Sequence, residues 1–247
     1  MTRAVIAALA AAAILPAVAS AQYGTVRSGP LWGERVRVTP WAGVAPRITR
    51  SEQWSVLVGE DQFNYDLDTD LGAGPVAGAE IDLRVYERFS IIGGAAFVSR
   101  GETFETDPVT NLRFERGGSD FILAKLGVAM RLREAVSDLQ MRRLTATVFA
   151  APAFIHEMPE DDALYVDQEA MNMLGANVGL NAQVPFGWPS VALQFGVEDF
   201  LIFWDNAELA RRTDAVYERN GRLSQSSVDA APTHMLLLRA GLSFRLN

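Results

Sequence analysis

Alternation of apolar and polar side chains recurs along this chain in segments of about ten to fifteen residues. Between Ser119 and Arg133 every even-numbered residue from 122 to 132 is apolar, whereas the odd-numbered residues include Lys125, Arg131 and Arg133. Successive side chains of a β-strand point to opposite sides of a sheet. The pattern therefore predicts a strand with one apolar face and one polar face.

Eight segments follow this pattern to different degrees. They span residues 35–45, 76–86, 89–100, 119–133, 141–155, 173–184, 190–204 and 234–247. Pro40 weakens the first, because proline removes a donor from the hydrogen-bond ladder. In the seventh the phase breaks at Glu198 and Asp199, so Phe200 and Ile202 face outward only if a β-bulge shifts the register by one residue.

The connections between these segments alternate in length. Those after the second, fourth and sixth segments are short, whereas residues 46–75, 101–118, 156–172 and 205–233 form long polar links. Short turns at one end and long loops at the other are typical of an up-and-down membrane barrel. After the amino-terminal segment, no apolar run approaches the roughly 20 residues of a spanning helix, so a membrane location would require a closed barrel. The prediction is an all-β, eight-stranded antiparallel up-and-down transmembrane barrel over residues 35–247.

The last segment favours the same fold. Leu242, Phe244 and Leu246 alternate with Ser243 and Arg245, and pairing of this strand with the first would remove both exposed edges of the sheet. The segment resembles the closing strand of bacterial outer-membrane barrels, which ends in alternating apolar residues with an aromatic residue near the carboxyl end. Residues 35–247 as a whole resemble the small eight-stranded outer-membrane barrels, the kind that includes the outer-membrane protein A and W barrels.

This resemblance implies a location in the outer membrane of a Gram-negative, diderm bacterium. It also implies contact with outer-membrane lipids and lipopolysaccharide, and assembly by the barrel-assembly machinery through the carboxyl-terminal strand. The pattern departs from the two-domain members of this group, since no peptidoglycan-binding domain follows the barrel. Anchoring to the cell wall is therefore not implied.

The amino-terminal 21 residues have the features of an export signal. Arg3 supplies a positive charge, residues 4–15 are apolar, and Ala19 and Ala21 form a small-x-small cleavage pattern. We expect cleavage after Ala21, with residues 22–34 as a periplasmic lead-in to the barrel. The chain has no cysteine, which excludes disulfides and thiolate metal sites. Its net charge of −8, without a basic stripe, does not favour a nucleic-acid partner.

The face opposite the apolar one carries charges of both signs. The predicted inward polar residues are Glu80, Asp82, Arg84, Lys125, Arg131, Asn177, Asn181, Gln183, Arg239 and Arg245. An eight-stranded barrel is just wide enough for side chains to fill it, and buried charges must pair. We therefore expect a salt-bridged plug and an envelope-structural role; a narrow pore for small solutes is the alternative.

An acidic stretch lies in the first long link. Asp66, Asp68 and Asp70 are spaced like the start of a calcium loop, but Gly72 comes one residue late and Ala77 occupies the place of the final glutamate. A solvated acidic strand extension is therefore favoured over a weak divalent-cation site among lipopolysaccharide phosphates. No cofactor is predicted.

Two other function classes remain as alternatives. A lipid-modifying hydrolase of the outer membrane would need a catalytic base, and the chain has only His156 and His234 as histidines. Lipid A deacylase barrels have a serine two residues after the histidine, where this chain has Met158 and Leu236. A non-enzymatic role is therefore expected. A secreted lipocalin-like barrel would have apolar residues inside and polar residues facing water.

Overall fold

The computed structural model describes residues 36–86, 88–101, 103–106, 113–116, 118–132, 135–136, 143–159, 170–185, 190–219, 221 and 223–246. The predicted signal peptide and lead-in lie outside the described residues. In chain order the strands are β1 (Val36–Ala45), β2 (Ile48–Val58), β3 (Asp61–Leu71), β4 (Gly74–Tyr86), β5 (Phe89–Ser99), β6 (Thr103–Thr106), β7 (Arg113–Arg116), β8 (Ser119–Arg131), β9 (Ala135–Val136), β10 (Arg143–Pro159), β11 (Met171–Pro185), β12 (Val191–Phe203), β13 (Ser224–Ala230) and β14 (Thr233–Leu246). The described residues contain one helix, α1 (Asn206–Arg219).

Eight of these strands close into an antiparallel barrel. Their order is β1, β4, β5, β8, β10, β11, β12 and β14, and β14 pairs back onto β1. Val36 lies opposite Leu246, and Val44 lies opposite Leu238, so the two ends of the barrel sheet meet along most of their length. The eight predicted strands and the fold class are confirmed. Closure gives both edge strands a hydrogen-bonding partner.

The outer surface of the barrel is apolar. Leu126, Val128 and Leu174 are 65%, 63% and 71% exposed, and each points away from the lumen. The opposite face of the same strands encloses charged and amide groups such as Lys125 and Asn181. A continuous exposed apolar surface of this kind suits hydrocarbon rather than water. The parity is opposite to that of a lipocalin.

The seventh barrel strand does not contain the bulge that the sequence left open. β12 pairs without a register shift with β11 on one side, from Pro185 opposite Ala192 to Leu174 opposite Phe203. Its pairing with β14 is equally regular. Phe200 and Ile202 therefore keep the inward phase, and both are at most 2% exposed. The apparent phase break marks a change in the side chains that fill the barrel. On the short-turn side of Asp199 they are charged, and on the long-loop side they are apolar.

The long links contain a second sheet, which corrects the expectation of plain polar loops. Its strand order is β13, β2, β3, β6 and β7, and α1 packs against β13. We call these five strands and α1 the cap. Residues 46–75 supply the β2–β3 hairpin, and residues 205–233 supply α1 and β13. The cap lies at the long-loop end of the barrel, because β2 and β3 continue directly from the loop ends of β1 and β4.

The cap has its own apolar interior. Trp54, Val56 and Leu71 are buried on one face of its sheet, and Trp54 stacks on Tyr65 with ring centroids 6.4 Å apart. These residues form one cluster with apolar residues of the barrel lumen, including Phe200 and Leu237. The hydrophobic core is therefore continuous from the upper lumen into the cap.

A buried arginine fastens the junction between barrel and cap. Arg100 follows β5, and its Nη1 donates to the carbonyl oxygens of Gly72 at 2.8 Å and Pro46 at 3.1 Å. Those carbonyls lie where β3 turns into β4 and where β1 turns into β2. Burial lowers the pKa of Arg100 to about 10, which leaves the group protonated at neutral pH. One side chain thus binds both connections between the barrel strands and the cap hairpin.

The helix of the cap has a defined start. Asp205 Oδ1 accepts a hydrogen bond from the backbone N–H of Glu208 at 3.1 Å, which is the geometry of an N-cap. In the described part of the chain, no helix combines the length and the apolar character needed to span a membrane.

Candidate functional site

Four charged side chains from four strands meet in the middle of the lumen. Lys125 Nζ lies 2.7 Å from Glu198 Oε2 and 2.9 Å from Glu80 Oε2. Arg239 completes the group, with Nη2 at 2.8 Å from Glu80 Oε2 and Nε at 2.5 Å from Glu198 Oε1. All four side chains are at most 5% exposed. Two cations and two carboxylates balance, so the group is neutral as a whole.

Amide side chains add hydrogen bonds to this group. Asn181 accepts from Arg239 at 2.9 Å and donates to Glu80 at 3.3 Å, while Asn177 donates to Glu198 at 3.3 Å. Gln194 Nε2 donates a long hydrogen bond to Glu80 Oε1 at 3.5 Å. We call these seven residues the central network. Buried charges are tolerated when they are both paired and hydrogen-bonded. Every charge of this group is paired and most of its polar atoms are hydrogen-bonded, whereas Arg239 Nη1 and Asn177 Oδ1 have no hydrogen-bond partner among the described residues.

Glycines beside the two cations explain why such long side chains fit. In the sheet register Gly94 lies between Glu80 and Lys125, and Gly196 lies between Asn181 and Arg239. A Cβ atom on Gly196 would lie 2.4 Å from Asn181 Oδ1 and 2.9 Å from Arg239 Nε. The absence of a side chain at this position therefore leaves the space that the guanidinium occupies.

Aromatic rings fill the space that the network leaves. Lys125 Nζ lies 4.2 Å from the centroid of the Phe149 ring, and Arg239 Cζ lies 4.9 Å from that of Trp41. Both distances suit cation–π contacts. Trp41 and Phe149 are themselves buried, so the rings and the ion pairs pack together in the interior of the barrel.

Above the central network, toward the cap, the lumen is apolar. Inward apolar residues at this level include Phe121, Leu123, Ile155, Met173, Phe200, Ile202, Met235 and Leu237, each at most 3% exposed. A buried carboxylate, Glu157, lies among them opposite Phe121. The sequence predicted a lumen plugged by salt bridges, whereas in this half mostly apolar side chains fill it. The interior is apolar here because the lumen joins the hydrophobic core of the cap.

Below the central network, at the short-turn end, the lumen opens into a cavity of about 190 Å³. Its lining residues are Arg37, Arg131, Thr145, Gln183, Pro185, Ser190, Val191, Ala192, Ser243 and Arg245. We call this cavity the arginine vestibule. Arg131 and Arg245, expected in one lumen network, line this cavity instead. Asp82 and Arg84 also face the short-turn half of the lumen and are not part of the central network.

The three aspartates of the first long link lie on the outer face of the cap sheet. Asp68 accepts a hydrogen bond from Ser51 Oγ at 2.6 Å, Asp70 accepts one from Thr49 Oγ1 at 2.7 Å, and Asp66 lies opposite Gln53. They form one edge of a ladder of polar pairs on a solvated sheet. Within the described ranges, no group of three or more histidine or acidic residues has the geometry to hold a metal ion.

Both histidines lie on the outward face of barrel strands near the loop end. His156 Nδ1 is 2.7 Å from Asn172 Oδ1, and His234 Nδ1 is 2.7 Å from Asp199 Oδ2. The side-chain partners of the two histidines are thus an amide and a carboxylate. Neither contact is to the hydroxyl nucleophile that a triad would require.

The structure adds Glu198 and Gln194 to the residues chosen from the sequence. Both have the inward phase of β12: Glu198 lies two residues and Gln194 six residues before Phe200. The signal was present in the parity of the segment, because Gln194, Gly196 and Glu198 continue one face. It was missed because the sequence left open a bulge at Glu198 and Asp199, which made the phase of this segment ambiguous.

Comparison with known proteins identifies the fold. The sequence matches no family profile, and no curated protein matches it. Among solved structures, the outer membrane protein OprG from Pseudomonas aeruginosa is similar over 85% of this chain and 97% of its own, with a TM-score of 0.54 at 8% identity. Neisserial surface protein A aligns over 85% of this chain and 97% of its own, with a TM-score of 0.43 at 9% identity. AlkL, determined in lipid bilayers, aligns over 90% of this chain and 95% of its own, with a TM-score of 0.46 at 11% identity.

Proposed function

We propose, from the premise that this chain has the fold of the eight-stranded barrels of Gram-negative outer membranes, that it is a non-conducting integral outer-membrane protein. Its role would be structural: the plugged barrel anchors the cap at the outer surface of the envelope. The observation that carries this proposal is the closed ring of ion pairs among Glu80, Lys125, Glu198 and Arg239, with an apolar layer above it.

The same observation weighs against a narrow pore for small solutes. An ion or polar solute would have to break buried ion pairs in the middle of the lumen and then cross the layer that contains Phe121, Leu237 and Ile202. Each unpaired buried charge costs several kcal/mol. A polar solute would also leave its own hydrogen bonds unmade in the apolar layer.

A structural role also fits the two ends of the molecule. By the usual orientation of such barrels, the short turns face the periplasm and the cap faces outward. The apolar outer surface of the barrel would contact outer-membrane lipids, and the long-loop end would contact lipopolysaccharide. The alternating Leu242, Phe244 and Leu246 of the closing strand would be the segment offered to the barrel-assembly machinery.

Conductance in a planar bilayer tests this proposal. The purified protein should give no discrete current steps beyond those of the empty membrane. A lumen variant that combines Glu198→Ala, Arg239→Ala and Leu237→Ala should conduct, because it removes two members of the ion-pair ring and one residue of the apolar layer. The matched control is Leu126→Ala, which shortens an exposed leucine on the lipid face and should remain silent. Regular current steps from the unmodified protein would refute the proposal.

An outer-membrane hydrolase is the second candidate, and the His234–Asp199 contact is the feature that favours it. A base oriented by a carboxylate is part of a triad, although the described neighbours supply no nucleophile for it. Lipid A from cells with the intact protein should therefore match that from cells carrying His234→Ala. A change in acylation that depends on His234 would establish this candidate over the structural one.

A further inference from the structure

The arginine vestibule is open to the short-turn end of the barrel and is much larger than one water molecule, whose share of liquid volume is about 30 Å³. Three of its lining residues are arginines, and Thr145, Ser190 and Ser243 add hydroxyl groups. Among the described residues that line it there is no carboxylate. The wall of the cavity therefore presents hydrogen-bond donors and positive charge.

The sheet register places two of these arginines directly side by side. Arg37 on β1 is the cross-strand partner of Arg245 on β14, and both point into the lumen. Like charges in directly opposed positions repel and destabilise a sheet. On its other side Arg37 lies opposite Asp82 on β4, which supplies one compensating carboxylate. For the pair Arg37 and Arg245, Asp82 is the carboxylate that the sheet register places alongside.

Among the described residues, the central network adds no carboxylate to the pair Arg37 and Arg245. Its two carboxylates are already paired with Lys125 and Arg239 at 2.5–2.9 Å. The contribution of the network is instead to position the side chain of Arg37. Gln194 accepts from the side chain of Gln183 at 2.7 Å, and Gln183 in turn accepts from Arg37 Nη1. This chain of contacts holds the guanidinium of Arg37 at the wall of the cavity.

We propose that the arginine vestibule is a binding site for an oxyanion of the phosphate class. Guanidinium groups present paired N–H donors that match the oxygens of a phosphate, and several of them around one cavity can share its charge. Arg37, Arg131 and Arg245 are the charged contacts, and the serine and threonine hydroxyls are further donors. The ligand is either a free phosphate or the phosphate of a phospholipid headgroup from the periplasmic leaflet, and both offer the same oxygens.

Titration calorimetry in a phosphate-free maltoside detergent tests this site with the full-length mature protein. Inorganic phosphate should bind, and an equal concentration of chloride should not displace it. Arg37→Gln and Arg245→Gln should each weaken binding at least about tenfold, since each removes a charge-assisted contact. Arg245→Lys keeps the charge and loses the paired donors. Its affinity for phosphate should lie between that of the unmodified protein and that of Arg245→Gln. The matched control, Arg211→Gln on the cap helix, should bind as the unmodified protein does.

A second titration distinguishes the two sources of the phosphate. Short-chain phosphatidylglycerol that displaces inorganic phosphate, or binds in its place with the same dependence on Arg37 and Arg245, would assign the site to a headgroup. Phosphate binding without such competition would assign it to the free ion. Circular dichroism would establish that each variant retains its strands. Binding of both probes that is unchanged in folded Arg37→Gln and Arg245→Gln, or no binding of either probe to the unmodified protein, would overturn the proposal.

Discussion

The barrel and the cap are inside-out versions of one another, although both are antiparallel sheets of the same chain. In the barrel, Leu126 and Leu174 are exposed while Glu198 and Arg239 are buried. In the cap, Trp54 and Val56 are buried while Asp66 and Asp68 are exposed. The strands themselves have the same geometry and the same period of two.

The difference lies in the solvent that each sheet meets. Hydrocarbon around the barrel accepts leucine and valine, so the polar residues turn inward and must satisfy one another. Water around the cap accepts aspartate and serine, so the tryptophan and valine residues turn inward. The two interiors meet at the level of Phe121 and Leu237, where the lumen changes from ionic to apolar. Four experiments can test this comparison, in order of expected effect.

The largest effect is expected from breaking the ionic interior of the barrel. Glu198→Gln would leave Lys125 and Arg239 without one of their two carboxylates, and it should lower the free energy of unfolding by about 3–5 kcal/mol. Urea unfolding in lipid vesicles, followed by tryptophan fluorescence, would measure it. The double variant Glu198→Gln with Lys125→Met should recover part of the loss. A loss below about 1 kcal/mol in the single variant would mean that the network does not hold the lumen together.

A smaller and more local effect is expected from opening the apolar interior of the cap. Trp54→Ala removes a buried ring that stacks on Tyr65, and it should cost about 3 kcal/mol. Hydrogen exchange should rise in β2, β3 and β13 and remain unchanged in the barrel strands. Phe63→Ala, at a position that is 53% exposed in the same hairpin, is the control and should change little. Equal loss of protection in barrel and cap would show that the two interiors unfold as one.

Introducing the same charge on the two outer surfaces tests the solvent directly. Leu126→Arg places a guanidinium on the lipid face near the middle of β8 and should cost about 2 kcal/mol. Gln53→Arg makes the corresponding change on the exposed face of the cap sheet and should cost less than about 0.5 kcal/mol. Unfolding of both variants in the same vesicles gives the comparison. Similar costs at the two positions would contradict a hydrocarbon environment around the barrel.

The smallest effect concerns the charged surface of the cap helix. A side-chain hydrogen bond from Arg211, with a second from Arg212, lowers the pKa of Glu208 to about 2 from the usual 4.5. Because the folded pKa is the lower one, the contact stabilises the helix fully above about pH 4.5, and this contribution is lost as the pH falls toward 2. NMR titration of the carboxyl carbon would measure the pKa, and Arg211→Gln should raise it. Solvent exposure of the pair keeps the effect on stability small.

Parity was enough to predict the barrel, but it could not predict the cap. The strands were recognisable because one medium lies outside and one inside, which gives a regular alternation. The β2–β3 hairpin also alternates, but its apolar residues, such as Trp54 and Leu67, pack against α1 and β13, which lie more than 130 residues away in the sequence. Contacts of that sequence separation leave no local signal. The sequence therefore predicted a solvated acidic strand extension at Asp66, Asp68 and Asp70, but not the strands and the helix that cover its other face.

The same distinction holds for the lumen. The sequence by itself determined which residues point inward, because strand geometry fixes the side of every second residue; it thereby selected Glu80, Lys125, Asn177, Asn181 and Arg239. Which of them meet was decided by the stagger of eight strands around the closed barrel, and that stagger brought Glu198 into the network and left Arg131 and Arg245 in the vestibule. The side of the sheet to which a side chain points is a local property of the chain, whereas contact across the lumen exists only after the sheet has closed.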